Sequence, residues 1–193
     1  MTTRERLLQA ALDVFAARGY HGTTVDDIVA ASGTSKGAFY HHFPSKQGIF
    51  LRLLDRLAGI VEAGVEAAIA QEHGALAKVE AALRVVLEVA GAHHELARIL
   101  LIEAAALGPE FEESRLGIHR RFAALIQRHL DRAVAEGSIP AQDTQTAARA
   151  WIGAINEVLT QELAAGGDLQ ALLPGLRTVL LRSIGAAARG DER

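Results

Sequence analysis

An all-α protein, built from two helical domains, is predicted by three observations. Alanine, leucine, glutamate and arginine dominate while aromatic residues make up only 5% of the chain, a composition that favours helices over strands. Apolar residues recur at three- and four-residue intervals along most of the sequence. The 18 glycines and four prolines fall mostly as punctuation between these amphipathic stretches.

The first helix is expected over residues 3–18, with Leu7, Leu8, Ala11, Leu12, Val14 and Phe15 inward and Arg4, Glu5, Gln9 and Asp13 outward. Gly19 supplies its stop. Thr24, followed three residues later by Asp27, is a capping box that opens a short second helix over 25–32, ending at Gly33. Thr34 or Ser35 caps a third, 36–42, and Phe43-Pro44 closes it because the residue before proline is driven out of the α region. Ser45 caps a long fourth helix that reaches close to His73. Five further helices are predicted at about 75–90, 93–107, 111–136, 143–165 and 168–188. Gly91, Gly108-Pro109, residues 137–140 and Gly166-Gly167 separate them, and the polar tail 189–193 is expected to fray.

Composition excludes several functions. With half of its 193 residues hydrophobic and 22% charged, the chain can bury a core. No cysteine is present, which removes disulfides, thiolate metal sites and thiol nucleophiles. The longest stretch without a formal charge, residues 37–45, is far below the ~20 residues of a membrane helix. The N-terminus lacks the features of a secretion signal, so a cytoplasmic protein is expected. Phosphate-loop, dinucleotide and nucleophile-elbow motifs are absent. His93-His94-Glu95 cannot jointly grip one ion well, since adjacent helical residues diverge by about 100°. Neither catalysis nor a metal or cofactor is expected.

Residues 24–46 carry the functional signal. Two short helices joined through Gly33 cannot form a core by themselves, but with the first helix across them they make a helix-turn-helix unit. Val25, Ile28, Val29, Phe39 and Phe43 supply its inward side; Lys36 and Tyr40, at i and i+4, share an outward face near Ser35 and Gly37. That face suits DNA. Gly37 permits close backbone approach, Ser35 and Tyr40 offer hydroxyls, and Lys36 reaches a base acceptor or phosphate. Thr24 and Ser45-Lys46 stand at helix starts where backbone N–H groups can receive a phosphate.

The segment GTTVDDIVAASGTSKGAFYHHFPSK closely resembles the N-terminal signature of TetR-type transcriptional regulators. The resemblance covers about residues 4–55 and rests on Gly19, Thr24, Ile28, Ala31, Gly33, Gly37, Tyr40, Phe43 and Lys46. Phe39 departs from it, standing where leucine is common. The resemblance implies a recognition helix over 34–42, with Ser35, Lys36 and Gly37 toward bases or nearby phosphates, Tyr40 and His41 on the DNA backbone, and Thr24 and Lys46 clamping phosphates. It also implies a division into residues 1–50 for DNA binding (motif about 24–43) and 51–193 for ligand binding and dimerisation, in a homodimer on a palindromic double-stranded operator.

The C-terminal part is read from its own residues as a bundle. Ile152, Ile155, Val158, Leu159 and Leu163, then Leu172, Leu173, Leu176, Val179, Leu180 and Ile184, form two late apolar stripes. They can build a four-helix interface with a second copy, or serve the intramolecular core. His119, Phe122, Ile126 and His129 fall within about 80° of arc and suit a pocket for a small, largely apolar effector; Trp151, Asn156 and Glu157 are further candidates. The expected function is a ligand-released repressor. An all-α small-molecule binder or enzyme with a vestigial helix-turn-helix is the alternative, and an activator or co-regulator is another.

Charge divides along the same boundary. Residues 1–50 hold five basic and four acidic side chains, and Lys36 and Lys46 are two of three lysines in the chain. The net −3 therefore belongs to the bundle, and DNA affinity is expected to lean on helix starts, hydroxyls and dimerisation.

Overall fold

A computed structural model describes residues 1–186, the side chains at 104 and 105 excepted. Nine α-helices are described: α1 (Thr3–Arg18), α2 (Val25–Ser32), α3 (Lys36–His42), α4 (Lys46–Ala70), α5 (Ala75–Ala92), α6 (His94–Arg98), α7 (Pro109–Ala135), α8 (Thr144–Ala165) and α9 (Leu173–Ser183). Among the described residues there is no strand, and no helix is long and apolar enough to cross a membrane. Residues 187–193, which include the end of the expected last helix and the polar tail, lie outside the described residues.

Two expected helices differ. The stretch 93–107 is not one helix: α6 ends at Arg98, residues Ile99–Glu103 widen into a π turn, and Ala104–Leu107 tighten into a 3₁₀ turn before Gly108. Arg98 bridges Glu95, three residues back, and Glu103, five residues on, at 2.6 and 2.7 Å. A five-residue reach suits the i→i+5 geometry of the π turn, so the ion pairs and the widened backbone accompany each other. The expected helix 168–188 begins instead as a 3₁₀ turn, Leu169–Leu172, capped by Asp168, and α9 ends at Ser183.

The chain packs as two compact units. The first comprises residues 1–58 and 93–115, the second 59–92 and 116–193. Residues 93–115, read from sequence as part of the bundle, thus pack with the N-terminal helices. In the first unit α1 lies across α2 and α3, burying Leu7, Leu8, Ala11 and Phe15 against Ile28, Phe39 and Phe43. Val25 and Val29 remain half-buried. The physical link to the later segment is aromatic: Tyr20 meets Phe50 and Phe111 edge-on, each at 5.1 Å between ring centres, and Phe15 meets Phe50 at 4.8 Å.

In the second unit α9 packs on α5 and α8. Leu83, Leu87, Trp151, Ile155, Leu159, Leu163, Leu176 and Leu180 form its core. Trp151 donates its indole N–H to Ser183 Oγ at 2.8 Å, and Arg177 on α9 meets Glu80 on α5 at 2.9 Å. Helices α4 and α7 each run from one unit into the other, passing at Ala58–Gly59 and Arg115–Leu116.

Candidate functional site

The helix-turn-helix is held by local hydrogen bonds that its sequence spells out. Thr24 caps α2: its Oγ1 accepts the Asp27 N–H at 3.2 Å, and the Asp27 carboxylate accepts both the Thr24 N–H and the Thr24 hydroxyl. Arg18 adds an ion pair to Asp27 at 2.7 Å. The Thr24 hydrogen bonds, and secondarily Arg18, hold the Asp27 carboxyl below the usual aspartate value. Gly33 ends α2 with φ +61°, the left-handed conformation that a tight helix stop requires and that glycine adopts without a Cβ penalty. Arg6 reaches from α1 to the turn, donating to the Ser32 and Gly33 carbonyls at 2.7 and 2.9 Å. Ser35 then caps α3, accepting the Ala38 N–H at 3.1 Å.

Helix α3 buries Phe39 and Phe43 and presents Ser35, Lys36, Gly37, Tyr40 and His41 to solvent, with Tyr40 52% exposed. Five of the seven expected DNA-facing residues therefore lie exposed on this helix or at its cap, while Thr24 is exposed at the start of α2 and Lys46 is half-buried at the start of α4. Lys36 is paired with Asp26 of α2, its Nζ 2.7 Å from Oδ1, and this partner keeps the ammonium above the usual lysine value.

Lys46 occupies a place that sequence alone does not reveal. Its Nζ donates to the Tyr20 and Thr23 carbonyls at 2.8 and 2.9 Å and stands 4.3 Å from the centre of the Tyr20 ring. Partial burial lowers its pKa. Two of its three donors thus fasten the α1–α2 loop, and the third remains for any other acceptor. Arg4 lies 5.6 Å from the centre of the Phe43 ring. All five basic side chains of residues 1–50 consequently have internal partners.

The bundle candidates are gathered only in part. His119 on α7 and Asn156 on α8 come together, with Nε2 and Nδ2 3.0 Å apart. Phe122 and Ile126 are half-buried on α7. Trp151 is buried with its N–H on Ser183, and lies about 140° around α8 from Asn156. It belongs to the α8–α9 packing, apart from the His119–Asn156 pair. His129 stands 3.2 Å from Glu66, and the exposed Glu157 accepts from Gln161.

Sequence reasoning did not single out a groove of about 450 Å³ within the second unit, lined by Gly59, Glu62, Ala63 and Glu66 of α4 and by Arg121, Ala124, Leu125 and Arg128 of α7. Arg121 pairs with Glu62 at 2.7 Å and Arg128 with Glu66 at 2.8 Å. The signal was present: carboxylates at i and i+4 and arginines at i and i+7 each occupy one helical face. Among the described residues no group of three or more His, Asp or Glu side chains is placed to hold a metal ion.

Residues 7–53 match the family model described as "Bacterial regulatory proteins, tetR family", and residues 72–160 match "Tetracyclin repressor-like, C-terminal domain". The chain is similar to the HTH-type transcriptional regulator RutR of Escherichia coli K12, 30% identical over 106 residues, which are 55% of this chain and 50% of RutR. The match thus spans about half of that relative's length. Similarity to the regulator EthR of Mycolicibacterium smegmatis is also 30%, over 154 residues, 76% of this chain and 66% of EthR. In fold it resembles the transcriptional regulator FadR of Bacillus subtilis, solved in complex with stearoyl-CoA, with a TM-score of 0.80 at 22% identity, covering 95% of this chain and 98% of that one. With both halves matched and the helix-turn-helix in place, the chain belongs to the TetR family of bacterial transcriptional regulators.

Proposed function

We propose that the protein is a cytoplasmic, ligand-responsive repressor that acts as a homodimer on a palindromic operator. Residues 1–50 would read DNA, with Ser35, Lys36 and Gly37 directed to bases or adjacent phosphates, Tyr40 and His41 on the backbone, and Thr24 and Lys46 at the flanking helix starts. The observation that carries this reading is α3 itself: Phe39 and the adjoining Phe43 are buried, while Ser35, Lys36, Gly37, Tyr40 and His41 are exposed. A dimer would place two such helices about one turn of DNA apart.

Residues 51–193 would bind the effector and dimerise. The polar pair His119–Asn156, with Phe122 and Ile126 half-buried on the same helix as His119, supports a small, largely apolar ligand held by a few hydrogen bonds. The stearoyl-CoA in the B. subtilis neighbour shares only its apolar acyl chain with such a ligand, since its coenzyme A part is large and anionic. Trp151, named with these residues at first, is better assigned to support of α8 and α9. Helix α4, which leads from Lys46 into the second unit, is the natural lever. Ligand would favour a conformer whose spacing no longer matches the operator, and a full switch from 1:99 to 99:1 requires about 5.5 kcal/mol of differential binding.

Titration of the protein against its own upstream region, followed by fluorescence anisotropy at moderate salt, tests the reading. Saturable, sequence-selective binding is expected, with reporter expression rising when the gene is deleted. Absence of selective binding would leave a small-molecule-binding bundle, and falling expression would make it an activator.

A further inference from the structure

The α7–α8 seam of the second unit has a polar end and an apolar end. The two helices run antiparallel: His119 meets Asn156, and twelve residues on along α7 and twelve back along α8, Asp131 meets Thr144. Ile152, Asn156 and Thr160 recur every fourth residue on one face of α8, and His119, Phe122 and Ile126 share one face of α7. All six are half-buried. The antiparallel register puts Phe122, Ile126 and Ile152 on one side of the His119–Asn156 pair and Thr160 on the other. Asn156 donates its Nδ2 to His119 Nε2 at 3.0 Å, so the imidazole accepts there and is neutral. No described residue is placed to bond Asn156 Oδ1 or the Thr160 hydroxyl. Charge is kept away from this face. Arg115, Arg121 and Arg128 of α7 are held by the carboxylates of Glu112, Glu62 and Glu66, and Arg120, Arg132 and Arg149 are exposed.

We propose that the effector read by this seam is an uncharged amphiphile whose head, a primary amide or an alcohol, both donates and accepts hydrogen bonds. The inference rests on the effector-binding role proposed above for residues 51–193. Asn156 Oδ1 accepts the proton of the head, and the Thr160 hydroxyl donates to its oxygen. The tail lies along Phe122, Ile152 and Ile126. A carboxylate head has no proton to give Oδ1 and would be desolvated without a cation beside it, a cost that a neutral head avoids. An ammonium head can donate but finds no carboxylate among these six residues. Seven residues of helix separate His119 from Ile126, about 10 Å of rise, so a tail of about eight carbons fills the apolar end.

Isothermal titration calorimetry at neutral pH with octanamide, n-octanol, octanoate and octylamine tests the head. Octanamide and n-octanol are expected to bind about tenfold or more tighter than the two charged probes. Asn156→Leu should weaken octanamide about tenfold and Thr160→Val about threefold. Ile126→Trp tests the orientation and separates recognition from folding. It should shift the preferred chain from octanamide to hexanamide, whereas Asn156→Leu should leave the length preference as it was. Octanoate or octylamine binding as tightly as octanamide, full octanamide affinity in Asn156→Leu, or an unchanged length preference in Ile126→Trp would each overturn the proposal, as would no binding by any probe. Anisotropy with a duplex of the upstream region is run alongside. DNA binding without octanamide binding sinks this inference and leaves the regulator reading standing. Octanamide binding without duplex binding supports the seam and removes the operator reading, so the two failures are distinguishable.

Discussion

Gly37 sits second in α3 with an ordinary negative φ, and the nearest atom to a Cβ built there is Ser35 Oγ at 3.8 Å. Nothing inside the chain excludes a side chain at this position, although glycine weakens a helix. Under the proposed function, the missing side chain leaves room for DNA to approach. Gly37→Ala is therefore expected to stabilise the fold by about 0.5 kcal/mol and to weaken binding to a duplex selected from a random pool by the wild-type protein by about tenfold or more, the clash falling where a DNA surface would lie. Thermal melts and anisotropy together check the opposed signs. Tyr40 and Lys46 separate in another way. Tyr40 is exposed, so Tyr40→Phe should leave stability unchanged while reducing affinity for every duplex alike. Lys46→Met removes two charge-assisted hydrogen bonds from the α1–α2 loop, and a loss of about 1–2 kcal/mol in urea unfolding is expected besides weaker DNA binding. Equal stability of Lys46→Met and wild type would contradict the clasp.

At the scale of elements, α2 and α3 are short enough that their ends decide them. Thr24→Ala should cost about 1 kcal/mol by removing the cap of α2. Asp27 contributes a pH dependence of definite sign. Its carboxyl is held below the ordinary aspartate value, chiefly by Thr24 and then by Arg18, so the folded state prefers it ionised. The stabilisation is present above about pH 4 and is lost as pH falls through the lower folded value. Circular dichroism melts across that acid range should show the limb in wild type and a weaker one in Asp27→Asn. The turn from α6 into α7 shows the limit of element-level reading. Periodicity over 93–107 describes a helix, while the π and 3₁₀ turns there coincide with an Arg98 bridge to Glu95 and Glu103 that no hydrophobic pattern encodes.

For the whole molecule, the late apolar stripes divide between two duties. Ile155, Leu159, Leu163, Leu176, Leu180 and Ile184 are buried within the second unit, whereas Val179 is 59% exposed and Ile152, Val158, Leu172 and Leu173 are half-buried. The intramolecular core accounts for the first group, and a second copy would account for the rest. Val179→Glu should thus leave helical content intact but shift the protein from dimer to monomer in sedimentation velocity. Binding to the selected duplex should fall by about a hundredfold or more as the second half-site contact is lost. A variant that sediments as wild type would move the dimer interface elsewhere.

What the sequence determined by itself is the helix-turn-helix, whose elements are held by interactions three or four residues long. The extents of α1, α2 and α3, the Thr24–Asp27 cap, the Gly33 stop and the exposed face of α3 were all legible, because hydrogen-bond partners and helical faces at that range follow from spacing alone. Only the tertiary structure decided where the long side chains go. Lys36 finds Asp26 ten residues away, Lys46 finds carbonyls 23 and 26 residues away, and His119 finds Asn156 across 37. It also placed Phe111 against Tyr20 and so brought residues 93–115 into the first unit. A flexible charged side chain has several partners within reach, and an aromatic ring will fill any apolar gap of the right shape. Packing of distant segments selects among those options, and local pattern carries no record of the choice.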